Sequence, residues 1–360
     1  MELGHTVWNS GFTFHGDIIT GPDVADDAEV LPMLERGEQV PAILPPPDVV
    51  ILRLFDQNEA DSIRLARHNG QIVLCDLDDD VWNMPEWNGV RAYLKRDGKW
   101  VYPKMPRKKE APRSIDLACL EANYAACDGV LCSTPRVAQA VKENVPFVNT
   151  FVCRNGIPAD EYAWPRPVTE HQKLRVAWMG VTSAVNHVGF LDILDDLTEL
   201  LAEYNCEFWH LGAEKESPPI VKWFPQNWSQ PVRMVPWASN KILPWLLSEI
   251  DVGIICRRPH QFHEGQSNVS GLAYGAAGVP YVVSRTVEYQ ILEGLGCGVC
   301  YEHPDGFRNA LEPLLASEEL RTSMREHGRA VAVNHFNPRT VARQWEQAIE
   351  AVRDSRAATV

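Results

Sequence analysis

Residues 262–284 read FHEGQSNVSGLAYGAAGVPYVVS. The first residues form a loop, and Val269, Leu272, Ala273 and Ala276 then recur at helical spacing. Gly278 and Pro280 stop that helix and lead into a β-branched strand ending at Ser284. Ser267 and Asn268 stand at the helix N-terminus, where free backbone N–H groups cradle an anion of phosphate size. Yet the helix carries no charge, since Ser270, Gly271, Tyr274 and Gly275 are neutral. A phosphate cradle without charged side chains needs an explanation from the rest of the chain.

The same strand–helix rhythm extends outward from this stretch. In the first half, PPPDVVILRLF predicts a proline stop and a buried strand Val49–Leu54, and EADSIRLARHNG a helix closed by Gly70. QIVLCDLDDD is a strand running into an acidic loop. A helix over 114–126, a strand over 129–132, a helix with Pro135 in its first turn, and the strand of FVNTFVCRNGI follow. Residues 158–172, rich in proline and charge, read as a linker. The rhythm then restarts with strands LRVAWMG, CEFWHLG, VRMVPW and DVGIIC and helices near 188–204 and 240–249. A last helix falls near 338–353.

Strands alternating with helices imply parallel sheets. The fold class is therefore α/β, with two Rossmann-like domains and a cleft between them. The expected division is 1–157, a linker over 158–172, 173–335, and a C-terminal segment 336–360 that packs back on the first domain. Ligands of such sheets bind at the carboxyl ends of the strands.

A chain of 360 residues, 45% of them hydrophobic, suits two domains. It has no apolar run near ~18 residues, so no membrane span is expected. MELGHTVWNS lacks the pattern of a secretion signal. Nine scattered cysteines fit a reducing cytoplasm, and Cys297 and Cys300 read as structural thiols at a turn into a strand. The net charge of −14 disfavours broad adhesion to nucleic acid or anionic membranes. Residues 95–113 run the other way: eight Lys and Arg face Asp97 and Glu110, with Trp100 and Tyr102 interleaved. That stretch is either a solvated surface loop or a contact for an anionic partner such as single-stranded or flipped-out nucleic acid.

Five motifs, in order, carry a resemblance: RHNGQIVLCDLDDDVWNMP, CDGVLCSTPRVA, CRNGIPADEY, VAWMGVTSAVNH and FHEGQSNVSGLAYGAAGVP. Together they resemble the GT-B glycosyltransferases of the group-one (family four) kind, in the variants common in bacteriophages and bacteria. The resemblance covers nearly the whole chain. It implies an acceptor domain, then a nucleotide-sugar domain, and transfer of a hexosyl or pentosyl group from a nucleotide-sugar, a UDP-sugar foremost. It also implies no required metal, with Mg²⁺ not expected.

The chain departs from the family where charge is concerned. His263 stands for the family asparagine, Gln266 and Ser270 for two lysines, and Ala273 for the glutamate that holds the ribose. Glu264 and Glu288 are the nearby candidates to replace that glutamate. The chain also opens almost on the phrase MELGHTVW, so the first strand of the N-terminal domain and its Gly-rich loop are expected to be missing.

The resemblance and the residue chemistry together name the candidates. For the donor diphosphate they are the N–H groups at Ser267, Asn268 and Val269, with Gly180, Thr182 and Ser183. Arg257 follows a strand and should emerge at the cleft edge, while the adjacent Arg258 points the other way. His187 is a contact to phosphate or sugar or a structural histidine, Glu264 is a further donor contact, and Trp237 is a nucleobase platform or a core tryptophan. In the acidic loop, Asp78 or Asp80 is the candidate general base on an acceptor hydroxyl. The competing reading is an acidic capping loop. An Asp-x-Asp metal site of the GT-A kind is a third reading of that loop. Arg53, Lys104, Arg107 and Lys108 are assigned to the acceptor, a protein or glycan hydroxyl or a hydroxylated base in DNA. Arg154 and Asn155 read as turn-capping residues. The lost lysines and glutamate motivate an alternative: a GT-B scaffold without catalysis, acting as a binding or assembly subunit.

Overall fold

The computed structural model describes residues 48–52, 59–85, 94–96, 99–100, 115–164, 173–180, 186–213 and 220–358. The expectation of a missing first strand falls on residues 1–47 and lies outside them.

The first half is built on strands β1 (Val49–Leu52), β2 (Ile72–Leu77), β6 (Gly129–Cys132) and β7 (Thr150–Val152), paired in that order and all parallel. A small side sheet holds β3 (Leu94–Arg96), β4 (Lys99–Trp100) and β5 (Ile115–Asp116). Helices α1 (Glu59–His68), α2 (Leu117–Ala126) and α3 (Pro135–Asn144) make the crossovers. Local chemistry sets their ends. The Asp116 carboxylate accepts from the Ala118 N–H at the start of α2, and Thr134 from the Val137 N–H, one residue before Pro135.

The second half pairs six parallel strands in the order β10 (Val232–Pro236), β9 (Glu207–Ala213), β8 (Arg175–Met179), β11 (Val252–Ile255), β12 (Tyr281–Ser284), β13 (Val299–Tyr301). The order runs outward in both directions from between β8 and β11, which makes that the topological switch point and opens a crevice beyond the ends of those two strands. Its helices are α4 (Asn186–Asp192), α5 (Leu194–Glu203), α6 (Leu243–Ser248), α7 (Gln261–Gly265), α8 (Val269–Ala276), α9 (Val287–Gly294), α10 (Phe307–Ala316), α11 (Glu318–His335) and α12 (Pro338–Ala357).

Two buried clusters pack on the second sheet, one around Trp178, Phe190 and Phe208, the other around Leu247, Leu272, Tyr274 and Tyr281. On the first sheet, Val73, Cys75 and Val130 face α2 and α3, while Leu74 and Leu131 meet Ala348 and Val352 of α12. Arg356 of α12 binds Asp128 at 2.6 Å and the carbonyl oxygens of Gly70 and Gln71.

Several expectations are corrected. The linker starts as packed structure: residues 159–162 form a 3-10 turn, because Ala159 and Tyr162 are apolar enough to bury against the second core. The single helix expected near 188–204 is two, α4 and α5, broken at Ile193. The expected helix over 240–249 shortens to Leu243–Ser248, with Pro244 in its first turn. Between residues 287 and 335 lie three helices beyond those expected from the sequence.

Candidate active-site cleft

The switch point brings two expected donor residues together. Gly180 follows β8, and Arg257 lies two residues beyond β11, its direct neighbour. Helix α4 lies against this edge, closely enough that a Cβ on Gly189 would sit 2.9 Å from the Cys256 oxygen and 3.1 Å from the Arg257 Cα. Only glycine allows that approach. Gly180 donates its N–H to Leu211 at 2.9 Å, and its carbonyl oxygen lies 2.8 Å from the His210 ring. The His187 backbone is in the first turn of α4. Thr182 and Ser183 lie outside the described residues.

Arg257 is 7% exposed. Its N–H donates to Ser284 Oγ at 2.7 Å, and its guanidinium lies 5.3 Å from the Tyr289 ring centre. The guanidinium Nε and Nη1 are buried without a hydrogen-bond partner. Arg258 turns the other way and pairs with Asp192. A buried cation with unused donors at the crevice of a parallel sheet is suited to an anionic ligand.

His263 sits beside it, buried and neutral. Burial first, then the nearby Arg257 charge, push its imidazole down to about 4. Nδ1 faces the Arg258 carbonyl oxygen, which can only accept, so Nδ1 carries the hydrogen. Nε2 is then a bare acceptor, and it has no partner. His263 therefore offers a lone pair to a hydroxyl, not a positive charge to a phosphate.

Helix α8 starts at Val269 and supplies the N-terminal N–H groups. The Asn268 side chain does not cap it, because its amide donates to the Glu288 carbonyl at 3.2 Å. Packing explains why the helix is neutral at three of its positions. A Cβ on Gly271 would lie 2.7 Å from Tyr281 Oη and 2.8 Å from the Tyr289 ring, and one on Gly275 2.8 Å from Cys297 Sγ. Ala273, where the resemblance implies a glutamate, is buried in the apolar cluster with Leu272 and Tyr274. Gln266 is half-buried, with Oε1 unpartnered.

The acidic loop faces this cradle from the first sheet. Asp78 Oδ1 lies 3.4 Å from the Asn155 amide nitrogen, which also donates to Ser267 Oγ at 3.1 Å. One amide thus spans the cleft. Asp80 is different and corrects its reading as a base. It is fully buried and caps the turn Val81–Asn83, accepting from the Asn83 N–H at 3.2 Å and the Asn83 side chain at 2.9 Å, with Arg136 3.5 Å away. Burial raises its pKa against these contacts. The capping reading holds for Asp80, while Asp78 is half-exposed at the end of β2. Among the described residues, no three His, Cys, Asp or Glu groups converge as metal ligands.

Arg154 and Asn155 do more than cap a turn. Arg154 Nε and Nη2 bind the two Glu288 oxygens at 3.0 and 3.2 Å, and its N–H donates to Gln344 at 2.8 Å. That pair closes off Glu288, which is 1% exposed, as a replacement for the family glutamate. Glu264 is half-buried, with Oε2 accepting from the Val287 N–H at 3.3 Å. Nothing in the sequence marks the Arg154–Glu288 pair, whose members lie 134 residues apart. Trp237 is 69% exposed, which excludes the core reading; its ring would touch a Cβ on Gly212 at 3.6 Å. Arg53, Lys104, Arg107 and Lys108 lie outside the described residues. A separate cavity of about 500 Å³, lined by Asp160, Glu161, Trp164, Asn240, Lys241 and Pro244, contains none of the cleft groups.

No protein-family model and no curated protein matches the sequence. Solved structures do match. A glycosyltransferase from Rickettsia africae superposes at a TM-score of 0.59, with 12% identity, over 89% of this chain and 79% of that one. Anabaena HepE in complex with UDP and glucose gives 0.57, 11% identity, 84% of this chain and 77% of that one. The pneumococcal O-GlcNAc transferase GtfA in complex with UDP and GlcNAc gives 0.54, 12% identity, 84% and 56%. At these identities the likeness is one of fold: the chain has the two-sheet GT-B architecture.

Proposed function

We propose that this chain is a glycosyltransferase that moves a sugar from a UDP-sugar to a hydroxyl acceptor. The observation that carries the reading is Arg257, a buried guanidinium with unused donors at the switch point, over the Tyr289 ring that also packs on Gly271 of α8. A diphosphate matches that site in charge and in its many acceptor oxygens. UDP in the HepE and GtfA complexes, on the same fold, supports the nucleotide assignment.

In this reading Arg257 and the α8 N–H groups neutralise the leaving diphosphate, so the reaction needs no metal. His263 Nε2 accepts from a sugar hydroxyl, as does Glu264. Trp237 stacks on the base. Asp78, half-exposed and opposite the cradle, is the general base on the acceptor. The acceptor is a protein or glycan hydroxyl, or a hydroxylated DNA base, which the basic and aromatic stretch 95–113 favours.

The neutral α8 and the burial of Asp80 favour one second reading, a GT-B scaffold that assembles with a partner and does not turn over. A thermal-shift panel of UDP, GDP, ADP, CMP and dTDP, each with and without Mg²⁺, separates the two. UDP at about 100 times its dissociation constant should add ~2.7 kcal/mol and raise Tm by several degrees. The shift should not require Mg²⁺. No shift with any nucleotide would sink the enzyme reading and leave the scaffold.

A further inference from the structure

A chain of polar groups runs behind Arg257 and belongs to none of the roles above. Gly253 donates to the Pro280 carbonyl as part of the β11–β12 ladder. Continued past the strand end, the same ladder brings Arg257 opposite Ser284. There the acceptor is a side chain: the Arg257 N–H donates to Ser284 Oγ at 2.7 Å. Ser284 Oγ donates to Tyr301 Oη at 3.1 Å. Tyr301 Oη lies 3.5 Å from His303 Nδ1, and Ser284 Oγ 3.4 Å from the same nitrogen. His303 Nε2 meets Asp192 Oδ2 at 3.1 Å, and Asp192 also takes the Arg258 guanidinium.

The acidic end of the chain sets a direction. Asp192 is ionised, its pKa lowered by the hydrogen bond from Arg258. A carboxylate only accepts, so His303 Nε2 carries the hydrogen. Nδ1 is left as an acceptor, which orients the Tyr301 hydroxyl hydrogen toward it. Tyr301 Oη then accepts from Ser284, and Ser284 Oγ is left to accept from Arg257. In this arrangement every group satisfies its neighbours. Ser284, Tyr301 and the His303 side chain are each about 2% exposed, so water does not compete for these bonds.

The geometry points to Ser284, Tyr301 and His303 as positioning residues that hold the Arg257 backbone and so aim its guanidinium at the donor diphosphate. They never touch the ligand themselves. The inference rests on the donor reading of Arg257, and its test distinguishes the two.

Tyr301→Phe is the informative variant, because it keeps the ring that packs on Phe307 and removes only the hydroxyl link. Isothermal titration of the full chain with UDP is the measurement, made on the native protein, Tyr301→Phe, Arg257→Ala and the double variant. Arg257→Ala should weaken UDP about ten- to a hundredfold, the size of a charged hydrogen bond. Tyr301→Phe should weaken it about three- to tenfold, but less than about twofold in the Arg257→Ala background, where no guanidinium remains to be aimed. A purely structural tyrosine would weaken binding equally in both backgrounds, or in neither, and either result overturns the relay. Native UDP binding that Arg257→Ala leaves unchanged, or no UDP binding by the native chain, overturns the donor reading itself and the relay with it. Ser284→Thr retains the hydroxyl and should keep native affinity, whereas Ser284→Ala should match Tyr301→Phe.

Discussion

Arg154→Ala removes one half of the clamp between the turn after β7 and helix α9. Both Glu288 oxygens accept from Arg154, and the Glu288 side chain is 2% exposed against 32% for the arginine. Stripping a buried carboxylate of its cation costs about 3–5 kcal/mol. Because the arginine is one-third open to water, the pair is partly screened, and the lower end, about 3 kcal/mol, is expected. Glu288→Gln keeps the shape and one acceptor oxygen, so it should cost only about 1–2 kcal/mol. The double variant leaves no orphan charge. It should therefore be more stable than Arg154→Ala alone, with a coupling of about 2 kcal/mol in the cycle. Urea unfolding followed by tryptophan fluorescence reads these differences. The clamp joins the two halves of the chain, so Arg154→Ala should also broaden the transition and lower its denaturant slope. If Arg154→Ala changes stability by less than about 0.5 kcal/mol, or the double variant is no better than Arg154→Ala, the pair is not the clamp described here.

Four further outcomes are expected. His263 is held neutral, its pKa depressed to about 4, whereas the unfolded imidazole titrates near its ordinary 6.5. The unfolded state binds more protons between those values, so stability is full above pH 6.5 and falls by about 3 kcal/mol as the pH drops to about 4. His263→Gln should flatten that part of the curve in a pH series of urea titrations. Phe262, from α7, is buried in the first sheet's cluster with Val81, Val137 and Val141, so Phe262→Ala should cost about 3–5 kcal/mol in calorimetry. Asp78→Asn should cut steady-state turnover of a UDP-sugar by about a hundredfold or more, as expected for a lost general base. Asp80→Asn should weaken a cap, at about 1–2 kcal/mol, and leave turnover within twofold.

The sheets were legible because their strands are marked twice, by β-branched runs and by the punctuation around them. β6 ends where it was expected, and β12 follows the Gly278–Pro280 step. Helix boundaries were less legible where tertiary contacts intervene. No propensity signal separates α4 from α5, where Asp192 pairs with Arg258 and His303 from other elements. Likewise, Ala159 and Tyr162 look like linker residues in a Pro-rich, charged stretch, and only the neighbouring core makes them interior. In the site, alternation along an extended segment was enough to separate Arg257 from Arg258. It could not separate Asp78 from Asp80, which occupy the same phase of the same loop. What divides them is α7, which packs so that a Cβ on Gly265 would lie 3.2 Å from Asp80 Cβ, and Thr134, which donates to the Gly265 carbonyl at 2.9 Å.

The uncharged helix then has a physical reason. Charged side chains at positions 271 and 275 of α8 would have to occupy space already filled by Tyr281, Tyr289 and Cys297, and Ala273 faces an interior where an unpaired carboxylate would cost several kcal/mol. The sheet supplies charge from elsewhere at lower cost. Arg257 comes off a strand end, where its aliphatic stem is covered and only its guanidinium must be satisfied. Ser267, at the mouth of α8, is tied through Asn155 to Asp78 at the end of a strand of the other sheet. A cradle arranged this way depends on the two halves being closed on one another: the α8 N–H groups come from one sheet, the carboxylate from the other, and the clamp at Arg154 and the Phe262 plug hold them in register. Variants that open the clamp should therefore weaken UDP binding without touching any group that contacts it, and UDP should in turn restore part of the stability that Arg154→Ala removes.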